Sequence, residues 1–336
     1  MQSFTIVNLK DKEKERQAEK LQRQQNRIAN KMLIPAPKKT VQSLKLLNFD
    51  PSGTFHFVED RWIRIYEVYG RLDKLSTTMT ALQSEIIVSG RILPEKEDTD
   101  WFLTLTGYGE TYDEVRKQFA LDEEVLKESV GIRPLSVDEA VKIIFSRLQG
   151  DTKEFSYASF VRSKKNLYDE LFPEIAESYD SFQMEASYGT SLFVMNYPKT
   201  VKLDVFTDLQ KLGCPIFLTF QMSNMKEEDR ESYLRMLEKR YCRNFPPEDI
   251  ENGISISCHM SFVCDSADAR EIIQSTILSL LSKEGYIVAP LYGKQRMGLL
   301  SDISLGMLES REFRNISLPA VEKIFWEENA NDNDKV

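Results

Sequence analysis

The chain has 336 residues, 41% of them hydrophobic, with a net charge of −9. That is enough apolar material for a sizeable core, and the length points to two domains. No run approaches the roughly eighteen uncharged apolar residues of a membrane span, and charges occupy the amino terminus where a signal peptide needs an apolar stretch. A transmembrane or secreted protein is therefore not expected; a cytoplasmic one is.

The charge is unevenly spread. Residues 1–45 hold eleven Lys or Arg against four Asp or Glu, a net of +7, so the remainder carries −16. Within this segment Ala18, Leu21, Gln25, Ile28 and Met32 keep a helical spacing, over too short a stretch for a stable isolated coiled coil. The spacing predicts a basic helix that docks on something or frays, with Lys14, Arg16, Lys20, Arg23, Arg27 and Lys31 as its candidate contacts to a partner or an anionic membrane surface. A solvated helix is the plainer reading. Pro35 and Pro37 then break the helix into a linker.

From residue 46 the pattern is mixed. "TFHFV" and "RWIRIYEV", separated by Glu59 and Asp60, predict a hairpin. Leu75, Met79, Leu82 and Ile86 keep helical spacing, and "DTDWFLTLTGYG" reads as a strand with Trp101, Leu103 and Leu105 on one face, followed by the helix "TYDEVRKQF". Residues 121–180 read as a helical connector, with a capping box from Ser136 to Glu139. A second lobe follows over 181–326: a strand at "SLFVMNYP", a helix through Val201, Val205 and Leu209, and "CPIFLTFQMS" with Ile216, Leu218, Phe220 and Met222 aligned. A helix with Leu234, Leu237 and Tyr241, the strand "ISISCHMSFVC", a helix through Ile273, Ile277, Leu280 and Leu281, and the strand "GYIVAP" complete it. The expected fold is α+β: two sandwich-like lobes, 46–120 and 181–326, joined by the connector, preceded by the basic arm 1–45 and followed by a disordered tail, 327–336.

Chemistry-bearing motifs are sparse. A phosphate loop requires G-x-x-x-x-G-K-[ST], whereas Gly293-Lys294 has Val288 five places before the glycine and Gln295 after the lysine. Gly107-Tyr108-Gly109 follows a strand, but the third position of a dinucleotide fingerprint is Tyr112, so a tight strand-to-helix turn is the better reading. Four cysteines, Cys214, Cys242, Cys258 and Cys264, form neither a disulfide framework nor a C-x-x-C pair. Alternation puts Cys258 and Cys264 on the core face of their strand and His259 on the surface face, which argues against zinc. With His56 the only other histidine, a His-dependent triad is improbable. Asp98, Asp100 and Glu110 near Trp101 could pair for acid–base work but read as solvated charges. Tyr292 and Trp326 could anchor an interface or be buried. No enzyme, metal or cofactor is expected on these grounds.

Several stretches resemble the amino-terminal domain of the TraE, TrbE and CagE family of type IV secretion ATPases. They are "DPSGTFHFVEDRWIRIYEV", "GTSLFVMNYPKTVKLDVFTDLQKLGCPIFLTFQMSNM", "ISISCHMSFVCDSADAREII" and "GYIVAPLYGKQRMGLLSDISLGML", and the similarity covers residues 46–325. In that family the domain precedes a motor with a phosphate loop, whereas this sequence ends 42 residues after Lys294 without one. The resemblance thus implies a non-enzymatic assembly component of a conjugative secretion machine at the inner face of the plasma membrane, its partners the secretion ATPase and inner-membrane subunits. The alternatives are a fragment of a full secretion ATPase or, against the acidic body, a DNA-binding accessory protein.

Overall fold

Strand β3 (Arg61–Val68) alternates buried Ile63 and Ile65 with Trp62 and Arg64, the period-two pattern of a sheet that packs on one face. In the computed structural model it belongs to a sheet of thirteen strands, all of whose described pairings are antiparallel. The structure describes residues 46–317 apart from 71, 95–99, 150–154, 164, 166, 199–205, 207, 226, 242–252 and 309–313. The arm with Lys14, Arg16, Lys20, Arg23, Arg27 and Lys31, the helix expected at Val201 and Val205, Asp98, Cys242, Trp326 and the tail lie outside the described residues.

The amino-terminal half contributes β1 (Leu46–Phe49), β2 (Thr54–Phe57), β3, β4 (Glu85–Ile92) and β5 (Asp100–Tyr108). The β2–β3 hairpin forms as expected, its turn carrying Glu59 and Asp60 in the left-handed region at φ 65° and 53°. Helix α1 (Leu75–Met79) ends sooner than the periodicity through Ile86 suggests, because "EIIVSGRI" is β-branched and becomes β4 instead. Helix α2 (Tyr112–Ser129) starts directly after β5. A Cβ on Gly107 would stand 2.8 Å from Val115 and 3.1 Å from Phe119, so the glycine lets this helix lie against the strand.

Next come β6 (Ile132–Pro134), α3 (Val137–Gln149), α4 (Tyr157–Ser163) and α5 (Leu167–Leu171). The capping box holds at the start of α3: Ser136 N donates to Glu139 at 2.8 Å and Glu139 N to Ser136 Oγ at 3.3 Å. The carboxy-terminal half adds β7 (Ala176–Glu177), β8 (Phe182–Met184), β9 (Ser187–Asn196), β10 (Ile216–Asn224), α6 (Glu227–Tyr241), β11 (Gly253–Cys264), α7 (Ala267–Lys283), β12 (Ile287–Pro290), α8 (Gln295–Ile303) and β13 (Arg314–Ser317).

The fold is α+β, but the strands assigned to two lobes share one sheet. Its order is β1-β2-β3-β5-β4-β10-β11-β9-β8-β7, with β6 beside β3, β12 beside β9 and β13 beside β11. The junction is β4 against β10, seven aligned residue pairs from Ile216↔Ile92 to Met222↔Ile86. One core lies between a face of this sheet and α1, α2 and α7; it contains Ile86, Val88, Leu103, Phe119, Leu218, Phe220, Met260, Ile277 and Leu281. The other lies on the opposite face, where Phe55, Ile63, Phe102 and Phe217 meet Val141 and Ile144 of α3, Leu171 of α5 and Leu299, Leu300 and Ile303 of α8. Helices of the expected connector therefore cover the second face of the sheet.

Candidate functional site

The centre of that second face is polar. Ser89 on β4, Thr104 on β5, Ser191 on β9, Thr219 and Gln221 on β10, and Ser257, His259 and Ser261 on β11 are all buried. Helix α8 and the turn after it bond to Ser89, Thr104, Ser191 and Ser261 of this face, and α8 buries Gln295, Ser301 and Asp302. His259 is only 1% exposed, which corrects its expected surface position. Alternation correctly separates the two strand faces; it does not show that the polar face is covered as well.

Three connected groups organise this layer. Gln295 donates to the carbonyls of Ser191 and Leu291, both at 3.0 Å, and accepts from Ser191 N at 2.7 Å, so the first residue of α8 closes a backbone gap at the β9 edge. Ser191 and Ser261 hydroxyls lie 2.8 Å apart, and Ser261 Oγ donates to Asp302 Oδ2 at 2.5 Å. Arg147 of α3 reaches across, donating to Ser89 Oγ at 2.8 Å and to the Asp302 carbonyl at 2.9 Å, with its guanidinium 5.2 Å from the centre of the Phe102 ring. Arg61 holds the following turn in the same manner, donating to the carbonyls of Gly306 and Met307. Thr104 Oγ1 donates to Leu305 O at 2.7 Å.

Electrostatics follow from the sealing. Burial pushes the Asp302 carboxyl up to about 8, against the opposing pull of Ser261, Thr219 and Arg147. Burial, with the neighbouring Arg91 charge, pulls Arg147 down to about 9, so it remains cationic at neutral pH. Among the described residues Arg147 Nε and Nη2 make no hydrogen bond. Ser257 Oγ lies 2.5 Å from His259 Nε2, a contact that orients the ring within the layer. Because the donors and acceptors are spent mainly on α8 and on the backbone of residues 302–307, the arrangement fixes that segment to the sheet.

The positions singled out from sequence are dispersed. Gly293 sits in a turn at φ 68°, and exposed Lys294 precedes α8. Asp100 is the first residue of β5 and pairs with Arg91 at 3.0 Å rather than being a solvated loop charge, whereas Glu110 is exposed. Cys258 and Cys264 point to the core face as expected, and burial raises both thiols. Among the described residues no group of three or more His, Cys, Asp or Glu could hold a metal ion. Tyr292 is exposed and stacks on Tyr179 with ring centres 4.9 Å apart.

Sequence reasoning passed over Arg61, Arg147, Ser191, Gln295 and Asp302. One signal was available. Strands "SYGTSLFVMN", "IFLTFQMSN" and "GISISCHMSFVC" contain no Asp, Glu, Lys or Arg, whereas a solvent-facing strand side usually carries charge.

No protein-family model matches the chain, and no curated protein matches it. Among solved structures, berberine bridge enzyme from Eschscholzia californica is matched at 13% identity and a TM-score of 0.26, over 67% of this chain and 40% of that one. A variant of the same enzyme in complex with (S)-reticuline gives 13% identity and a TM-score of 0.27, over 68% and 41%. GilR, an oxidoreductase in complex with pregilvocarcin, gives 10% and 0.26, over 71% and 44%. The chain thus spans about two fifths of the length of these proteins. The matched structures are oxidoreductases, whereas the sequence reading expects no enzyme. Likenesses at these scores carry no argument about the chemistry of this chain.

Proposed function

We propose that this chain is an assembly component of a conjugative type IV secretion system, docking on the motor ATPase or on inner-membrane subunits. The observation that carries this reading is the set of stretches resembling the secretion ATPase amino-terminal domain. In this fold they coincide with whole structural units: β2 with β3, β9 through β10, β11 with the start of α7, and β12 with α8. Three features suit a docking role. None of the described residues of α6 is buried, while Met236 on it is exposed. The turn before α8 presents the Tyr179–Tyr292 stack. No helix among the described residues is long and apolar enough to cross a membrane, so attachment would be peripheral or through partners, with the basic arm as a contact.

The test is affinity purification of the tagged protein in mild detergent from cells carrying its native element. Recovery of a phosphate-loop ATPase together with small membrane proteins is the expected outcome, and loss of that recovery on deleting residues 1–33 would assign the contact to the arm. Recovery of the protein alone, from the soluble fraction, overturns the reading.

A further inference from the structure

Strands β10 and β11 pair antiparallel from Asn224↔Ile254 to Ile216↔Phe262. Continuing that register two residues beyond Ile216 sets Cys214 directly opposite Cys264. The pairing does continue, because Val263 N donates to Pro215 O at 3.3 Å. That bond makes Pro215 and Val263 a hydrogen-bonded pair. Cys214, in the bend just before β10, thus lies where a non-hydrogen-bonded partner of Cys264 would stand, a pair whose Cα atoms typically lie about 4.5 Å apart with side chains close, and the two thiols are near enough for Cys264 to raise Cys214. Such a spacing falls within the roughly 4.4–6.8 Å range that a disulfide spans without backbone movement. Both side chains belong to the same core face, and both thiols are free.

We propose that Cys214 and Cys264 are a reversible dithiol–disulfide site that staples the base of the β10–α6–β11 unit. Cys264 is the entry point. It is the more exposed of the two, 9% against 4%, and sits at the strand end with its thiol directed to the carbonyls of Tyr188 and Ser266. A small-molecule disulfide such as oxidised glutathione supplies the oxidising equivalents. The Cys264 thiolate attacks one sulfur of it, forming a mixed disulfide and releasing one glutathione thiolate. The Cys214 thiolate then attacks the Cys264 sulfur, closing the protein disulfide and releasing the second glutathione. Two protein thiols are oxidised and one glutathione disulfide is reduced to two thiols, with the two cysteine protons passing to the leaving thiolates. Burial pushes Cys214 up to about 12 and raises Cys264, so little thiolate exists at neutral pH and closure speeds up as the pH rises. Cys258 is three strand-face positions before Cys264 on β11, opposite Phe220, and is out of reach of either partner.

The test uses the full-length, fully reduced chain incubated with oxidised glutathione at pH 7 and pH 9. Thiols are then counted under denaturing conditions, and disulfide-linked peptides are mapped by mass spectrometry. Two of the four thiols should disappear, faster at pH 9, as one linked pair containing Cys214 and Cys264. The melting temperature should rise by about several degrees and return on reduction. In C214S, whose fold is checked by circular dichroism, Cys264 should instead retain bound glutathione. Linkage through Cys258 or Cys242 overturns the proposal. So do retention of all four thiols while a control dithiol peptide oxidises, or a fully formed Cys214–Cys264 bond that leaves the melting temperature unchanged.

Discussion

Asp302 holds its proton to a pH at which an unfolded aspartate has long lost it. Its carboxyl titrates near 8 in the fold and near 3.8 as a free side chain. Below about 4 both states are protonated; between about 4 and 8 only the folded state keeps the proton, so this residue's contribution to stability falls as pH rises through that window. Asp302→Asn removes the titration, and on the order of a few kcal/mol of pH-dependent stability should vanish with it. Urea midpoints of the two proteins at pH 4.5 and 8.5 check this, with the variant gaining on the parent at the higher pH. Parallel pH curves would show that Asp302 titrates normally. Ser261→Ala withdraws the hydroxyl that donates to Asp302 Oδ2 and neighbours Ser191, and should lower stability by about 1–3 kcal/mol at pH 7 in the same assay.

At the scale of elements, α8 depends on a close approach. A Cβ on Gly298 would lie 2.6 Å from Ser191 Cβ and 2.6 Å from Leu291 Cδ1. Leu291 can turn away, but Ser191 is tied to Ser261 and Gln295 on a central strand and has nowhere to go. Gly298→Ala should therefore push α8 off the sheet and destabilise the fold by about 1–3 kcal/mol, although alanine favours helix. Chemical denaturation measures the loss, and an unchanged midpoint would mean that α8 is loosely held. Much of this layer's architecture can be read from apolar alternation: Ile216, Leu218, Phe220 and Met222 share one face as expected, and Ile277 and Leu281 anchor α7. The contacts of the polar face were less legible. Period two tells which residues share a side but not what lies over it, and Asp302 to Ser261 or Arg147 to Ser89 joins residues 41 and 58 positions apart. Residue 86 illustrates a different failure, since Leu75, Met79, Leu82 and Ile86 match a helical period by coincidence across the end of α1 and the start of β4.

For the whole molecule, the β4–β10 pairing is the joint between the amino- and carboxy-terminal halves. Both cores draw side chains from both halves: Val88 meets the group containing Phe220 and Met260, while Phe55 and Ile63 share the other with Leu299 and Ile303. Unfolding should thus be a single transition in which far-ultraviolet circular dichroism and tryptophan fluorescence, with Trp62 and Trp101 in the amino-terminal half, coincide. Two separated transitions would mean that each half folds alone. The two-lobe expectation arose because local patterning carries no record of which strand pairs with which, and this joint links strands on opposite sides of the helical segment between Ser136 and Leu171.

That same pairing has a consequence for synthesis on the ribosome. Strand β4 pairs with β5 on one side soon after both emerge, but its other edge waits for β10, which is complete only 132 residues after the end of β4. At about 5–20 residues per second the wait is roughly 7–26 s. Throughout it the nascent chain presents an open β-edge bearing Ile86, Ile87, Val88 and Ile92, a template for pairing with neighbouring chains on a polysome. Chains that stall before Ile216 never close that edge, and a chaperone that shields it acts before the native fold exists.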